Sequence, residues 1–278
     1  MQTQKISNLA FIMDSGLRSL PIAALYNGHQ FLIERYSIGL MPSLSLVDTR
    51  YQDIRSAQAL AMGASQFANQ ASLPAVPLEL QNIAQTWTRN GKYFIDQDFT
   101  LANLQTQRQQ SAYSIVHLAT HGEFLPGEPS NSYIQFWDER LQLDQLRQLG
   151  LNDPAVELLV LSACRTALGD KNAELGFAGL ALQAGVKSAL ASLWYVSDAG
   201  TLALMAEFYH QLRTAPIKAE ALRRAQLSML RGEVQLQSGK LTSRGEEVVL
   251  PSDLADLSTT SLRHPYYWSA FTLIGSPW

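Results

Sequence analysis

A chain of 278 residues with 46% hydrophobic and 16% charged side chains can bury at least one substantial core. Its net charge of -3, with no dense Lys/Arg block, gives no electrostatic footprint for nucleic acid. A single cysteine excludes an internal disulfide and suits a reducing compartment. With no leader pattern and no apolar run of about 18 residues, a cytoplasmic chain without a membrane span is expected.

In chain order, "LPIAALYNGHQFLIERYSI" places two apolar stretches around Asn27-Gly28, a dipeptide that accepts the positive φ angles of a tight turn, and predicts a β-hairpin. Leu80, Ile83, Ala84 and Trp87 recur at helical spacing between Pro77 and Gly91 and predict an amphipathic helix. From Thr100 the pattern alternates. A polar helix led by Thr100 precedes the strand "YSIVHLAT", then a Gly/Pro-rich loop, a short hairpin in "YIQFWDERLQL" and the strand "VELLVLSA". A helix through "LGFAGLALQAG", the strand "SALASLW" and two further helices follow, one with Leu202, Met205, Tyr209 and Leu212 inward. Residues from about Gln235 to Ser261 read as a long polar surface loop, and "HPYYWSAFTLIGSPW" must tuck into the body.

Apolar strands separated by helices predict an α/β sandwich, a mainly parallel central sheet flanked by helices. The whole of residues 1–278 is expected to form a single domain. Its N-terminal half, 1–99, contains the hairpin, and the second half is 100–278.

Two strands end in reactive side chains. "SIVHLATHG" finishes at His121-Gly122 and "VELLVLSAC" at Cys164, 43 residues later. If those strands are parallel neighbours, their ends lie about 5 Å apart and an imidazole and a thiol share one rim of the sheet. A free thiol of pKa about 8.5 is mostly protonated at neutral pH, so a nearby imidazole that takes its proton activates it and can then protonate a leaving amine. The N–H groups of Gly122 and Cys164 form a candidate oxyanion hole, worth about 3 to 4 kcal/mol per donor in acyl transfer.

"HG" after one strand and "SAC" after the next resemble the His-Gly and Gln-Ala-Cys signatures of caspase-like peptidases. The closer resemblance is to the CHAT-domain family, caspase-like domains often found after tetratricopeptide repeats. It is carried by "LPIAALYNG", "HLATHGEF", "LVLSACRTALG", "GLALQAGVKSALASLWYVSDAGT", "FYHQL" and "HPYYWSAFTLIG", in the family's order over nearly the whole chain. It implies a caspase-like fold and thiol-dependent endopeptidase activity with no cofactor. His121 is the implied general base and acid, Cys164 the nucleophile, and a protein or peptide the substrate. It also implies a tetratricopeptide-repeat or other regulatory partner. Ser162 and Thr166 depart from the caspase glutamine and glycine, against aspartate specificity. "SLWYVSD" is similar to the separase segment whose aspartate forms an acidic pocket for arginine, which places Asp198 there and implies cleavage after Arg or Lys.

Other readings stand beside these. Taken alone, Cys164 is a small buried hydrophobe or a redox-sensing thiol. Asp198 precedes a helix that it would suit as an N-cap. Trp194 lines a substrate groove or packs at a strand end. Glu123 orients His121 or is a solvated loop carboxylate. His117 reads as a hydrogen-bonded core histidine, because "HLATH" lacks the glutamate of the helical zinc motif and no metal is expected. Lys240 and Arg244 in the polar loop are candidate self-cleavage sites. The alternative function is a catalytically silent scaffold or interaction module.

Overall fold

The computed structural model describes residues 6–14, 17–43, 48, 50–87, 92–123, 129–162, 176–255 and 261–278. The chain runs through β1 (Asn8–Ile12), α1 (Leu32–Arg35), β2 (Ser37–Met41), β3 (Ala59–Gly63), α2 (Val76–Trp87), β4 (Phe94–Ile95), α3 (Leu101–Gln110) and β5 (Ile115–Ala119). A small sheet of β6 (Gly122–Glu123), β7 (Tyr133–Gln135) and β8 (Arg140–Gln142) follows, then a 3-10 segment over Leu143–Leu149. Next come β9 (Leu158–Ser162), α4 (Gly176–Gln183), β10 (Ser188–Ser192), α5 (Asp198–Leu212) and α6 (Lys218–Arg231). The chain closes with β11 (Val234–Gln237), β12 (Lys240–Ser243), β13 (Glu246–Val249), α7 (Ser252–Ala255), α8 (Pro265–Trp268) and β14 (Phe271–Gly275).

The central sheet has the order β1-β2-β14-β10-β9-β5-β3-β4. It consists of two parallel blocks, β1-β2-β14 and β10-β9-β5-β3-β4, joined where β14 runs antiparallel to β10. Strands β2, β3, β5, β9 and β10 are buried at every position, which explains why they read as continuous rather than alternating apolar runs. Helix α2 rests on β3 and packs against α5, which packs against α6. Helix α4 lies on β10 and β14 and meets the 3-10 segment, as does α3. The expected mainly parallel, helix-flanked α/β architecture is present, with Leu80, Ile83, Ala84 and Trp87 buried on α2 as their spacing requires.

Two expectations are corrected. The turn at Asn27-Gly28 forms, with Gly28 at φ 95°, yet its arms make a single antiparallel bridge, Tyr26 to Phe31. The flanking apolar residues go instead into a 3-10 turn, Ile22–Ala24, and α1, because their partners lie in the body and not across the turn. The presumed surface loop after Gln235 begins as the three-stranded sheet β11-β12-β13. Val234 and Leu236 alternate inward against exposed Gln235 and Gln237. Its two-residue turns, Ser238-Gly239 and Arg244-Gly245, have φ of 52° and 72°, then 54° and 82°. Positive φ at both positions matches the right-handed twist of paired strands. Apart from exposed Val249 the outward face is polar, so the segment resembles a loop in sequence.

Candidate active site

Strands β5 and β9 pair in parallel, with Ala119 opposite Ser162. His121 follows Ala119 by two residues, and Cys164 follows Ser162 by two; Cys164 itself lies outside the described residues. The turn after β5 is pinned on several sides. Thr120 donates its N–H to Ser162 O at 3.3 Å and its hydroxyl to Gln135 O at 2.6 Å, while Gln135 N–H donates to His121 O at 2.9 Å. Gly122 opens β6 opposite Ile134.

The half-buried imidazole of His121 packs on Phe67, ring centroids 4.5 Å apart, and its Nε2 lies 2.7 Å from Ala71 O. A carbonyl oxygen only accepts, so Nε2 carries the hydrogen. In the neutral ring Nδ1 then keeps its lone pair and can take a proton. A backbone carbonyl rather than a carboxylate therefore orients this ring. Glu123 is exposed and accepts from the Tyr133 hydroxyl at 3.2 Å, in line with its reading as a solvated loop carboxylate rather than the group that orients His121.

Beside this turn lies a recess. Glu79 and Asp198 line it, with the hydroxyl-bearing Thr120, Ser162, Ser192 and Thr201 and the apolar Leu73, Val76, Val196 and Phe271. Asp198 is the first residue of α5, but the N-cap is Ser197, whose hydroxyl accepts from Gly200 N–H at 3.3 Å. The Asp198 carboxylate instead accepts from Ala75 N–H. Burial, reinforced by the negative charge of Glu79, raises its pKa from 3.8 to about 6.

Glu79 is buried, with Oε1 2.9 Å from Nε2 of the fully buried His117. The approach is close but off the line of a good N–H···O bond. Nδ1 of His117 lies 3.1 Å from the Tyr209 hydroxyl, whose pKa burial pushes well above its ordinary value, so the phenol stays protonated. His117 is thus a buried, hydrogen-bonded histidine behind the recess. Among the described residues, no cluster of three His, Cys, Asp or Glu is placed to hold a metal.

Trp194 lies outside the recess. Its indole N–H donates to Tyr266 O at 3.0 Å, and its ring stacks on Tyr266 at 6.3 Å. The structure therefore brings Asp198 close to the His121 turn through Thr120 and leaves Trp194 against α8. Glu79, Phe67 and Ala71 were missed from sequence. Glu79 left one signal: with Val76, Ile83 and Trp87 it lies on the apolar stripe of α2, where an acid is out of place.

A mainly parallel eight-stranded sheet flanked by helices is the architecture of the caspase-like fold. The CHAT-domain family profile matches residues 1–276, and the chain belongs to that family. No curated protein matches the chain in sequence. Among solved structures it is similar to the Arg-specific cysteine proteinase gingipain R, RgpB, at TM-score 0.53 and 13% identity. That match covers 100% of this chain and 60% of gingipain. A complex of Porphyromonas gingivalis RgpB pro- and mature domains matches at TM-score 0.51 and 13% identity, over 91% of this chain and 57% of that one. The Saccharomyces cerevisiae separase–securin complex matches at TM-score 0.58 and 13% identity, over 100% of this chain but 16% of that one.

Proposed function

We propose that this chain is a thiol-dependent endopeptidase acting on protein substrates after a basic residue, in a reducing, cytoplasmic setting. The observation that carries the reading is His121. Its Nε2 is fixed by the Ala71 carbonyl at the end of a strand in register with the strand that leads into Cys164. In this reading Nδ1 of His121 takes the Cys164 thiol proton and the thiolate attacks the scissile carbonyl carbon. The N–H groups of Gly122 and Cys164 hold the oxyanion, and the imidazolium protonates the leaving amine. Water then hydrolyses the thioester and restores the thiol. Asp198 receives the guanidinium or ammonium group of the residue before the scissile bond, in keeping with gingipain, whose name states Arg specificity. Trp194, outside the recess, has no part in binding that side chain. The gingipain and separase structures with a prodomain and with securin favour regulation by a protein partner, of tetratricopeptide-repeat or another type.

A fluorogenic peptide library, run on the wild type beside Cys164→Ala, tests this reading. Turnover by the wild type alone, strongest at Arg or Lys, supports it; equal turnover by both proteins overturns it. One observation favours the second reading, a silent interaction module: the recess is narrow, about 30 Å³, room for about two waters. Folded wild type that binds protein partners yet cleaves no peptide would establish that module.

A further inference from the structure

Phe67, whose ring packs on His121, also lines a larger groove of about 860 Å³, bounded by residues 66–70 and by the β7–β8 hairpin from Gln135 to Arg140. One segment connects the two sites. Phe67 packs on the His121 ring, Ala71 binds its Nε2, and Leu73, Ala75 and Val76 line the recess. The segment is closed at its neck by Leu73 N–H donating to Ser65 O at 2.9 Å, and Ser65 N–H in turn donates to Asp96 at 2.7 Å. This wall is therefore fixed with respect to the imidazole. Across it, Gln70 Nε2 reaches the Tyr133 hydroxyl at 3.4 Å and ties the two walls together.

Trp137 stands out on the hairpin. Trp87, Trp194, Trp268 and Trp278 each donate their indole N–H to a backbone carbonyl. Trp137 has no such partner among the described residues and is 39% exposed in the groove. Its own backbone is held, because Trp137 N–H donates to Phe99 O at 3.0 Å. A large aromatic on a rigid mount beside an open groove loses little entropy on binding and gives an anchor of the kind that dominates peptide recognition. Beside it, the exposed carboxylates of Asp138 and Glu139 have no cationic partner among the described residues. Arg140 is already engaged over the Tyr133 ring at 4.3 Å and with Gln135 at 3.1 Å.

We propose that this groove receives the polypeptide that follows the scissile bond, selecting a bulky apolar side chain against Trp137 next to a basic one facing Asp138 and Glu139. The inference rests on the peptidase reading. It follows from the position of His121, which hands its proton to the leaving amine: the chain bearing that amine departs past the imidazole, and Phe67, packed on that ring, forms one wall of the groove.

The test uses two quenched peptides identical up to an arginine, which is followed in one by phenylalanine and lysine and in the other by glycine and aspartate. The wild type should prefer the first by about tenfold in kcat/KM, and Trp137→Ala should erase that preference. In the uncleaving Cys164→Ala chain, fluorescence anisotropy of the labelled first peptide should show about tenfold weaker binding once Trp137→Ala is added. Cleavage of an arginyl coumarin amide with no preference between the two peptides would overturn the groove and leave the peptidase. Cleavage of nothing would overturn the peptidase, and equal anisotropy with and without Trp137 would overturn the groove even then.

Discussion

At the residue scale the chemistry turns on how each side chain is held. If His121 draws the proton from Cys164, the thiol should be alkylated by iodoacetamide well below the pH of about 8.5 that half-ionises a free thiol. His121→Ala should return labelling to that range, and unchanged labelling would exclude the dyad. Asp198 makes a prediction with a definite sign. With its carboxyl titrating at about 6, cleavage after arginine should fall as pH drops through about 6, and Asp198→Asn should abolish that limb along with most of the arginine preference. Its effect on stability has the opposite sense. A carboxylate whose folded pKa is raised binds protons more tightly folded than unfolded, so its contribution is best below pH 3.8 and is lost as pH rises through about 6. Asp198→Asn should therefore stabilise the fold at pH 8 by about 1 to 2 kcal/mol after allowance for partial solvation, as read by urea denaturation. The sequence named His121 through its place at a strand end, and Asp198 through the likeness of "SLWYVSD" to a separase segment. It could not name Ala71 or Phe67, because a loop carbonyl and a ring near the end of β3 acquire meaning only when the chain folds over β5.

At the element scale, caps and turns carry most of the local signal. Thr100 was legible as the start of α3, and its hydroxyl accepts from Asn103 N–H at 3.1 Å. Thr100→Ala should cost about 1 kcal/mol, measured as a shift in the urea midpoint. The β11-β12-β13 sheet changes the outlook for self-cleavage. Lys240 sits on β12 and pairs with Glu247 at 2.5 Å, while Arg244 forms a tight turn with its Nε 3.5 Å from the buried Glu207. A peptidase cleft needs extended, accessible backbone, so mass spectrometry after prolonged incubation of active enzyme should find both peptide bonds intact. These hairpins were misread because Ser-Gly and Arg-Gly are weaker turn signals than Asn-Gly, whereas the strong Asn27-Gly28 signal produced a turn with little sheet on either side.

At the scale of the whole molecule, the joint between β10 and β14 binds the two parallel blocks. Gln226 on α6 reinforces it by donating to Trp268 O at 2.9 Å and Phe271 O at 3.1 Å. Because β14 lies in the middle of the sheet, between β2 and β10, deleting residues 264–278 would bare two buried strand edges and the hydrophobic seat of Trp268. Such a chain should be recovered insoluble, or lose its cooperative melt in circular dichroism; a soluble, cooperatively folded truncation would contradict this account. Among the described residues, no helix is long and apolar enough to cross a membrane.

The sequence by itself determined the strands β5, β9 and β10, the helices between and after them, and the chain order of the histidine and cysteine, because burial on both faces leaves continuous apolar runs ended by distinctive residues. Only the tertiary structure decided that the last strand enters the sheet antiparallel, and that Glu79 faces Asp198 in one recess. It alone placed a loop carbonyl on His121 and opened the Trp137 groove beside it. Each of these depends on contacts between segments distant in the chain, whose pairing is fixed by the packing of the whole core and leaves no local periodicity to read.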